Sequence, residues 1–179
     1  MTKWKFLAAM ACGACLGTWV TMWMQQRSAV VSAKEPGLTA LDYDQLMQLT
    51  NRYAYGIDTC SNNGYDYADV FTPDGVFNQF AGHDALVNFV KTWREKLNGA
   101  TRKHWNNNLQ ISGNSKQASG FVYLMLVDIS TKPASILTTA TYTDSLVKTK
   151  DGWRFTKRTT KGDVAPPAPA PAASETPPK

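Results

Sequence analysis

Cysteine and histidine are scarce in this 179-residue chain, with three of the former and two of the latter. Cys12 and Cys15 lie near the N-terminus, so only Cys60 remains beyond residue 33 and no internal disulfide can close there. Stability has to come from a packed core. Beyond residue 33 the chain also lacks His-x-x-x-His and Cys-x-x-Cys spacings, which argues against a dedicated metal site. A Gly-rich phosphate loop and a Gly-x-Ser-x-Gly elbow are missing as well, so no nucleotide cofactor and no serine-hydrolase chemistry is expected. Excess charge is small. Of the formal net charge of +5, Lys3, Lys5 and Arg27 contribute three, leaving +2 from Lys34 onward, and a nucleic-acid partner is not implied.

Both ends of the chain differ in composition from its middle. Lys3 and Lys5 precede an apolar run from Phe6 to Met24, a polar break at Gln25-Gln26-Arg27 and small residues closing at Val31-Ser32-Ala33. That order is the plan of a secretory signal peptide, residues 1–33, with cleavage expected after Ala33. The alternative is an uncleaved inner-membrane anchor over residues 6–24, since about 20 apolar residues span a bilayer. Either way a periplasmic or secreted domain is expected. Neither Cys12 nor Cys15 has a leucine three positions before it, which disfavours a lipoprotein. From Val164 the chain turns to Ala-Pro-Pro-Ala-Pro-Ala-Pro, a composition that favours extended polyproline II, so residues 164–179 are read as a disordered tail. One folded domain over 38–163 remains, a size that suits a single core.

Inside that domain the hydrophobic period changes once. Leu46, Leu49, Tyr53 and Ile57 recur at helical steps behind the capping candidates Thr39 and Asp42, which predicts a helix from about Leu41 to Asp58, stopped by Asn62-Asn63-Gly64. A short helix over Tyr65 to Phe71, a turn at Thr72-Pro73-Asp74-Gly75 and a strand over Val76 to Phe80 follow. A third helix is expected from His83 to Leu97, with His83 itself at the surface of its first turn. After Asn98-Gly99 the residues 102–112, 117–129, 135–149 and 153–160 are β-rich and separated by turn signals, so they are read as antiparallel strands. Helices first and a meander afterwards give an α+β fold: a curved, mostly antiparallel sheet wrapped around three N-terminal helices.

The candidate chemistry rests on Tyr53 and Asp58 near the end of the first helix and His104 on the first meander strand. A carboxylate that accepts a hydrogen bond from one imidazole nitrogen fixes the tautomer and raises the basicity of the other nitrogen, which is general-base chemistry. A nearby tyrosine hydroxyl supplies a donor for a carbonyl or leaving oxygen, and Tyr55 or Tyr67 are alternatives to Tyr53 in that role. By period two, His104, Asn106, Asn108 and Gln110 share one face of their strand and Trp105, Leu109 and Ile111 the other, provided that no bulge breaks the Asn run. Cys60 is read as a buried or partly buried bystander.

Five segments carry a resemblance: Arg52 to Asp58, Phe71 to Phe77, Lys103 to Leu109, Thr141 to Asp144 and Gly152 to Phe155. They resemble the SnoaL-like family of the nuclear transport factor 2-like superfamily, over nearly all of residues 38–163. The resemblance implies a ketosteroid-isomerase-like, cystatin-like cone, described as an α+β barrel. Members such as scytalone dehydratase, bile acid 7α-dehydratase and hexachlorocyclohexane dehydrochlorinase use an Asp on the first helix paired with a His on the strand after the third; Asp58 and His104 match that pair. Tyr53 stands five positions before the Asp, as the catalytic Tyr of the bile acid enzyme does. Scytalone dehydratase has a second His on the next strand and this chain has none, which argues against that reaction.

Two functions follow as expectations. One is a cofactor-free lyase, dehydratase-like, or isomerase acting on a small hydrophobic molecule, with Tyr53, Asp58 and His104 catalytic and Tyr55, Phe77, Asn106, Asn108 and Tyr142 contacting the substrate. The other is a small-molecule binding or dimerisation module in which Asp58 and His104 form a structural pair. A catalytic dyad faces an open cavity, whereas a structural pair is filled over. A homodimer is expected by analogy, through a flat sheet face offered by Thr138, Thr139, Thr141 and Thr143. Membrane contact is expected only through an uncleaved N-terminal segment.

Overall fold

A computed structural model describes residues 35–163. The leader assigned to residues 1–33 and the tail assigned to 164–179 lie outside the described residues. Helix α1 (Ala40–Thr59) begins where Thr39, in extended conformation, closes a capping box with Asp42. Both capping candidates are therefore used, one for each half of the box: the Thr39 hydroxyl accepts from the Asp42 amide, and the Asp42 carboxylate accepts from the Thr39 amide. Leu46, Leu49, Tyr53 and Ile57 are buried, as the helical period requires. The helix ends at Cys60, whose left-handed φ of 50° lets its amide bond the Gly56 carbonyl.

Asp42 does more than cap. Its carboxylate also accepts from the Trp153 indole at 2.9 Å and from Lys148 Nζ at 2.6 Å, which ties the start of α1 to the far end of the sheet. The Lys148 bond, then those from Thr39 and Trp153, hold the Asp42 carboxyl well below the ordinary value of 3.8. A depressed carboxylate stabilises the fold above its unfolded pKa and loses that contribution as pH falls below it. Asp42→Asn is therefore expected to cost about 1–3 kcal/mol at pH 7. The loss should shrink below about pH 4, as urea midpoints of both proteins at pH 7 and pH 3 would show.

A 3₁₀ turn (Ser61–Gly64) leads into the short helix α2 (Tyr65–Ala68). Asn62 and Asn63 take left-handed φ values of 49° and 54°, which is why the chain turns here. At Gly56 a Cβ would stand 2.9 Å from the Tyr67 Cα, so only glycine lets α1 and α2 approach this closely. The second helix is shorter than expected because Phe71 already pairs in strand β1 (Phe71–Phe77). The segment Thr72 to Gly75, expected as a turn, is a bulged stretch of that strand, with a register shift between Phe71 and Val76 against its neighbour. Strand β2 (Phe80–Ala81) and helix α3 (His83–Lys96) follow.

The meander consists of β3 (Arg102–Gly113), β4 (Gln117–Asp128), β5 (Ser135–Thr149) and β6 (Gly152–Gly162). Strand order is β2-β1-β6-β5-β4-β3. Only the β1–β6 pair is parallel, and the curved sheet does not close into a barrel. The three helices pack into its concave side, with Tyr53, Tyr67, Phe71, Tyr142 and Phe155 at the centre of the core.

Two face assignments are corrected. Pairing of β3 with β4 shifts between Asn107 and Gln110, where Asn108 takes a φ of 55°. That extra residue flips the alternation, so His104 and Asn106 face inward before the bulge while Leu109 and Ile111 pack against the core after it. Trp105 faces outward and is 51% exposed, without Leu109 and Ile111 beside it. On β5, Thr139, Thr141 and Thr143 alternate with buried Ala140, Tyr142 and Asp144, so Thr138 belongs to the opposite face from the other three.

Candidate functional site

Asp58 sits on the last turn of α1 and His104 at the inward-facing start of β3, 46 positions away. The fold brings them into contact. His104 Nδ1 and Asp58 Oδ1 are 2.6 Å apart, and the same carboxylate accepts from the His104 backbone amide at 3.1 and 3.3 Å. An ionised carboxylate can only accept, so Nδ1 carries a hydrogen, and in the neutral ring the lone pair is then on Nε2. Among the described residues Nε2 has no hydrogen-bond partner. The side chains are 5% and 6% exposed for His104 and Asp58, and the edge of Trp93 packs on the imidazole with ring centroids 6.2 Å apart.

Tyr53 is fully buried, but its hydroxyl lies 3.4 Å from that of Tyr142 rather than against the dyad. Its ring is enclosed by Tyr67, Phe71, Phe77, Tyr142 and Phe155. Phe77 and Tyr142, both expected as substrate contacts, belong to this interior cluster. Burial pushes the phenols of Tyr53, Tyr67 and Tyr142 well above their ordinary value, so all three stay neutral donors. Asn106 points inward and donates to the Thr50 carbonyl at 3.4 Å, whereas Asn108 is exposed at the bulge. Tyr55 is 64% exposed, because two helical steps turn it about 200° from Tyr53. It borders a separate cleft of about 340 Å³ with Arg52, Asp66, Asp69 and Arg154. His83 is half-exposed and bonds Asp69 at 2.8 Å, as a surface residue would. Cys60 is partly buried and unpaired.

Two interior residues were not read as site residues from the sequence: Asp144 and Arg158. Arg158 is 0% exposed and grips Asp144 through Nε and Nη2, both at 2.7 Å. Its guanidinium carbon stands 4.2 Å over the Tyr53 ring, 4.4 Å over Tyr142 and 4.2 Å over Phe155. Burial opposes its charge, yet Asp144 outweighs burial and holds the guanidinium above its ordinary value. The signal lay in the alternation: Tyr142, Asp144 and Leu146 share the inward face of β5, and Asp144 stands directly opposite Arg158 on β6. A second cleft, of about 360 Å³, runs along α3 between Phe80, Asn88, Phe89, Trp93 and Lys96. Trp93 is thus the wall between this cleft and His104. Neither Asp58 nor His104 lines a cleft described among these residues.

No curated protein matches the chain in sequence. Solved structures do match in shape. A protein of unknown function from Mycobacterium tuberculosis superposes with a TM-score of 0.64 at 22% identity, covering 75% of this chain and 84% of that one. A cystatin-like protein from Nostoc punctiforme gives 0.61 at 24% identity, covering 73% and 97%. A nuclear transport factor 2-like protein with a cystatin-like fold from Novosphingobium aromaticivorans gives 0.59 at 13% identity, covering 84% and 90%. These likenesses establish the fold. The SnoaL-like domain family matches residues 38–159, which is most of the chain, and the chain belongs to that family.

Proposed function

We propose that this SnoaL-like domain binds a small hydrophobic molecule and moves a proton on it without a cofactor, as a lyase or isomerase. The observation that carries this reading is the 2.6 Å contact between Asp58 and His104, with His104 Nε2 left unpaired. Asp58 holds the imidazole in one tautomer; His104 Nε2 takes a proton from carbon, and the freed electron pair forms a new double bond. In an elimination that pair expels a leaving group on the adjacent carbon; in an isomerisation the proton returns at another carbon. The Tyr53 hydroxyl, kept neutral by burial, is turned to Tyr142 and not to the dyad, so it donates to the carbonyl or leaving oxygen only after leaving that partner. Because no described cleft reaches Asp58 or His104, this reading requires the Trp93 indole to move off the imidazole to admit substrate.

A binding module is the second reading, favoured by the near-complete burial of both dyad side chains. Thermal-shift measurements on the full-length chain against sterols, bile acids, polyketides and small aromatics separate the two. A compound that stabilises the protein and is turned over, with turnover lost in Asp58→Asn and His104→Ala, supports the enzyme. Stabilisation without turnover, unchanged by either substitution, makes the domain a carrier and leaves the dyad structural.

The proposed setting is outside the cytoplasm, on the strength of the leader sequence. Protein recovered from a periplasmic fraction is expected to begin at Lys34 by mass; an intact N-terminus there would instead mean an anchor. We propose a homodimer as well. Trp105, Phe121 and Tyr123 are 51%, 38% and 49% exposed on the outer face of the sheet, and Phe121 and Tyr123 pair across β4–β5 with Thr143 and Thr141. An exposed apolar row of this kind marks an interaction surface. Tyr123→Glu is expected to convert a dimer to a monomer in sedimentation velocity, and a wild-type monomer would remove the proposal.

A further inference from the structure

The cleft along α3 is a site of ligand size that the dyad does not use. Its volume of about 360 Å³ lies in the range of small-molecule pockets. Phe80 and Phe89, with ring centroids 4.6 Å apart, and Trp93 form its apolar wall. That wall is anchored from behind, because Phe89 also packs on Phe77 and Tyr67 of the core and Trp93 on His104. From Ala85 to Lys96, both of which line the cleft, the helix advances about 16 Å, so the cleft is a slot along the helix.

Charge decides what the slot takes. Lys96 is the only charged side chain among its lining residues, and among the described residues Lys96 is in no ion pair. Arg94 and Glu95 share the last turn of α3 but do not line the slot, and their charges offset each other. Lys96 therefore sets the sign, since the helix end itself contributes only about half a negative charge. A second observation points the same way: one turn before Lys96, the indole Nε1 of Trp93 is buried without an acceptor. Buried donors are nearly always satisfied, by the protein or by what binds to it. An apolar slot that ends on a free cation beside an unsatisfied donor is complementary to a hydrocarbon that ends in an anion.

We infer that the α3 cleft binds a small hydrophobic carboxylate, with the carboxylate at Lys96 and the hydrocarbon laid along Trp93, Phe89 and Phe80. The site shares the Trp93 wall with the dyad, but it does not require His104 to be catalytic.

Three probes with one hydrocarbon and different ends, 4-phenylbutanoate, 4-phenylbutan-1-ol and 4-phenylbutylamine, test this by calorimetry and thermal shift on the full-length protein. 4-Phenylbutanoate is expected to bind saturably and raise Tm. The alcohol should bind about fivefold more weakly, the scale of one exposed ion pair, and the amine more weakly still. Lys96→Gln should bring the butanoate down to the affinity of the alcohol and leave the alcohol unchanged, and added salt should weaken the butanoate alone. Thr92→Trp, at an exposed position on the slot, should block both. The readout is binding, so a failure here leaves the dyad reading standing, and an inactive dyad leaves this site standing. Alcohol or amine binding as tightly as the butanoate, no saturable binding of the butanoate, or full binding in Thr92→Trp would overturn the proposal. A wild-type dimer that Thr92→Trp dissociates would overturn it in favour of a second copy seated on α3.

Discussion

Asp144→Asn is expected to destabilise the fold by about 3–5 kcal/mol, a large share of the 5–15 kcal/mol typical of a domain. Arg158 cannot shed its proton, and its guanidinium is sealed between three aromatic rings with no solvent exposure. Removing the carboxylate leaves that charge with only neutral neighbours. The damage comes from the orphaned ion rather than from the lost pair, so replacing both partners should cost less than the single change. A double variant, Asp144→Leu with Arg158→Met, is therefore expected to be more stable than Asp144→Asn alone, as buried ion pairs exchanged for packed apolar groups often are. Urea unfolding of the wild type, Asp144→Leu, Arg158→Met and the double variant measures the coupling. Strict additivity would mean that the two side chains do not act as a pair.

Loss of the Asp58 carboxylate should act on chemistry more than on folding. Asp58 serves two donors at once, the His104 amide and the His104 ring. Asparagine keeps one accepting oxygen and puts an N–H₂ donor where the second stood, so the imidazole is driven toward the tautomer with hydrogen on Nε2. That tautomer cannot take a proton through Nε2. Turnover is expected to fall by about 10²- to 10⁴-fold in Asp58→Asn, and by a similar factor in His104→Ala. Nitrogen chemical shifts of the neutral His104 ring give an independent check: Nε2 should read as unprotonated in the wild type and as protonated in Asp58→Asn. An unchanged tautomer in the variant would remove Asp58 from the mechanism.

Most of the architecture was legible because it is local. The capping residues, the 3.6-residue stripe of α1 and the turn signals between strands are short-range features, and α1, α3 and β3 to β6 formed within a few residues of their expected bounds, whereas β1 began five residues early. The misreadings came from irregular backbone. Asn108 in the left-handed region inverted half of β3, and Pro73 and Gly75 stood inside a bulged strand rather than a turn. Both depend on sheet register, which pairing across the sheet decides. The Asp58–His104 contact was accessible only through family resemblance, since the two residues are 46 positions apart. Arg158 stayed hidden for a related reason: a charged residue on a strand looks like surface until its cross-strand partner and its aromatic cage are seen together. Tyr55 and Tyr53 illustrate the converse, because helical phase alone sends one to solvent and the other to the core.

The account turns on whether His104 is a working base, and that can be measured without knowing the natural substrate. 5-Nitrobenzisoxazole is a small, flat aromatic that opens to a coloured phenolate once a base removes the C–H proton of its isoxazole ring. The wild-type protein is expected to open it faster than free imidazole at equal concentration, with the gain lost in His104→Ala and in Asp58→Asn while both variants stay folded. A wild-type rate equal to that of either variant would contradict the account and leave the Asp58–His104 contact as part of the framework.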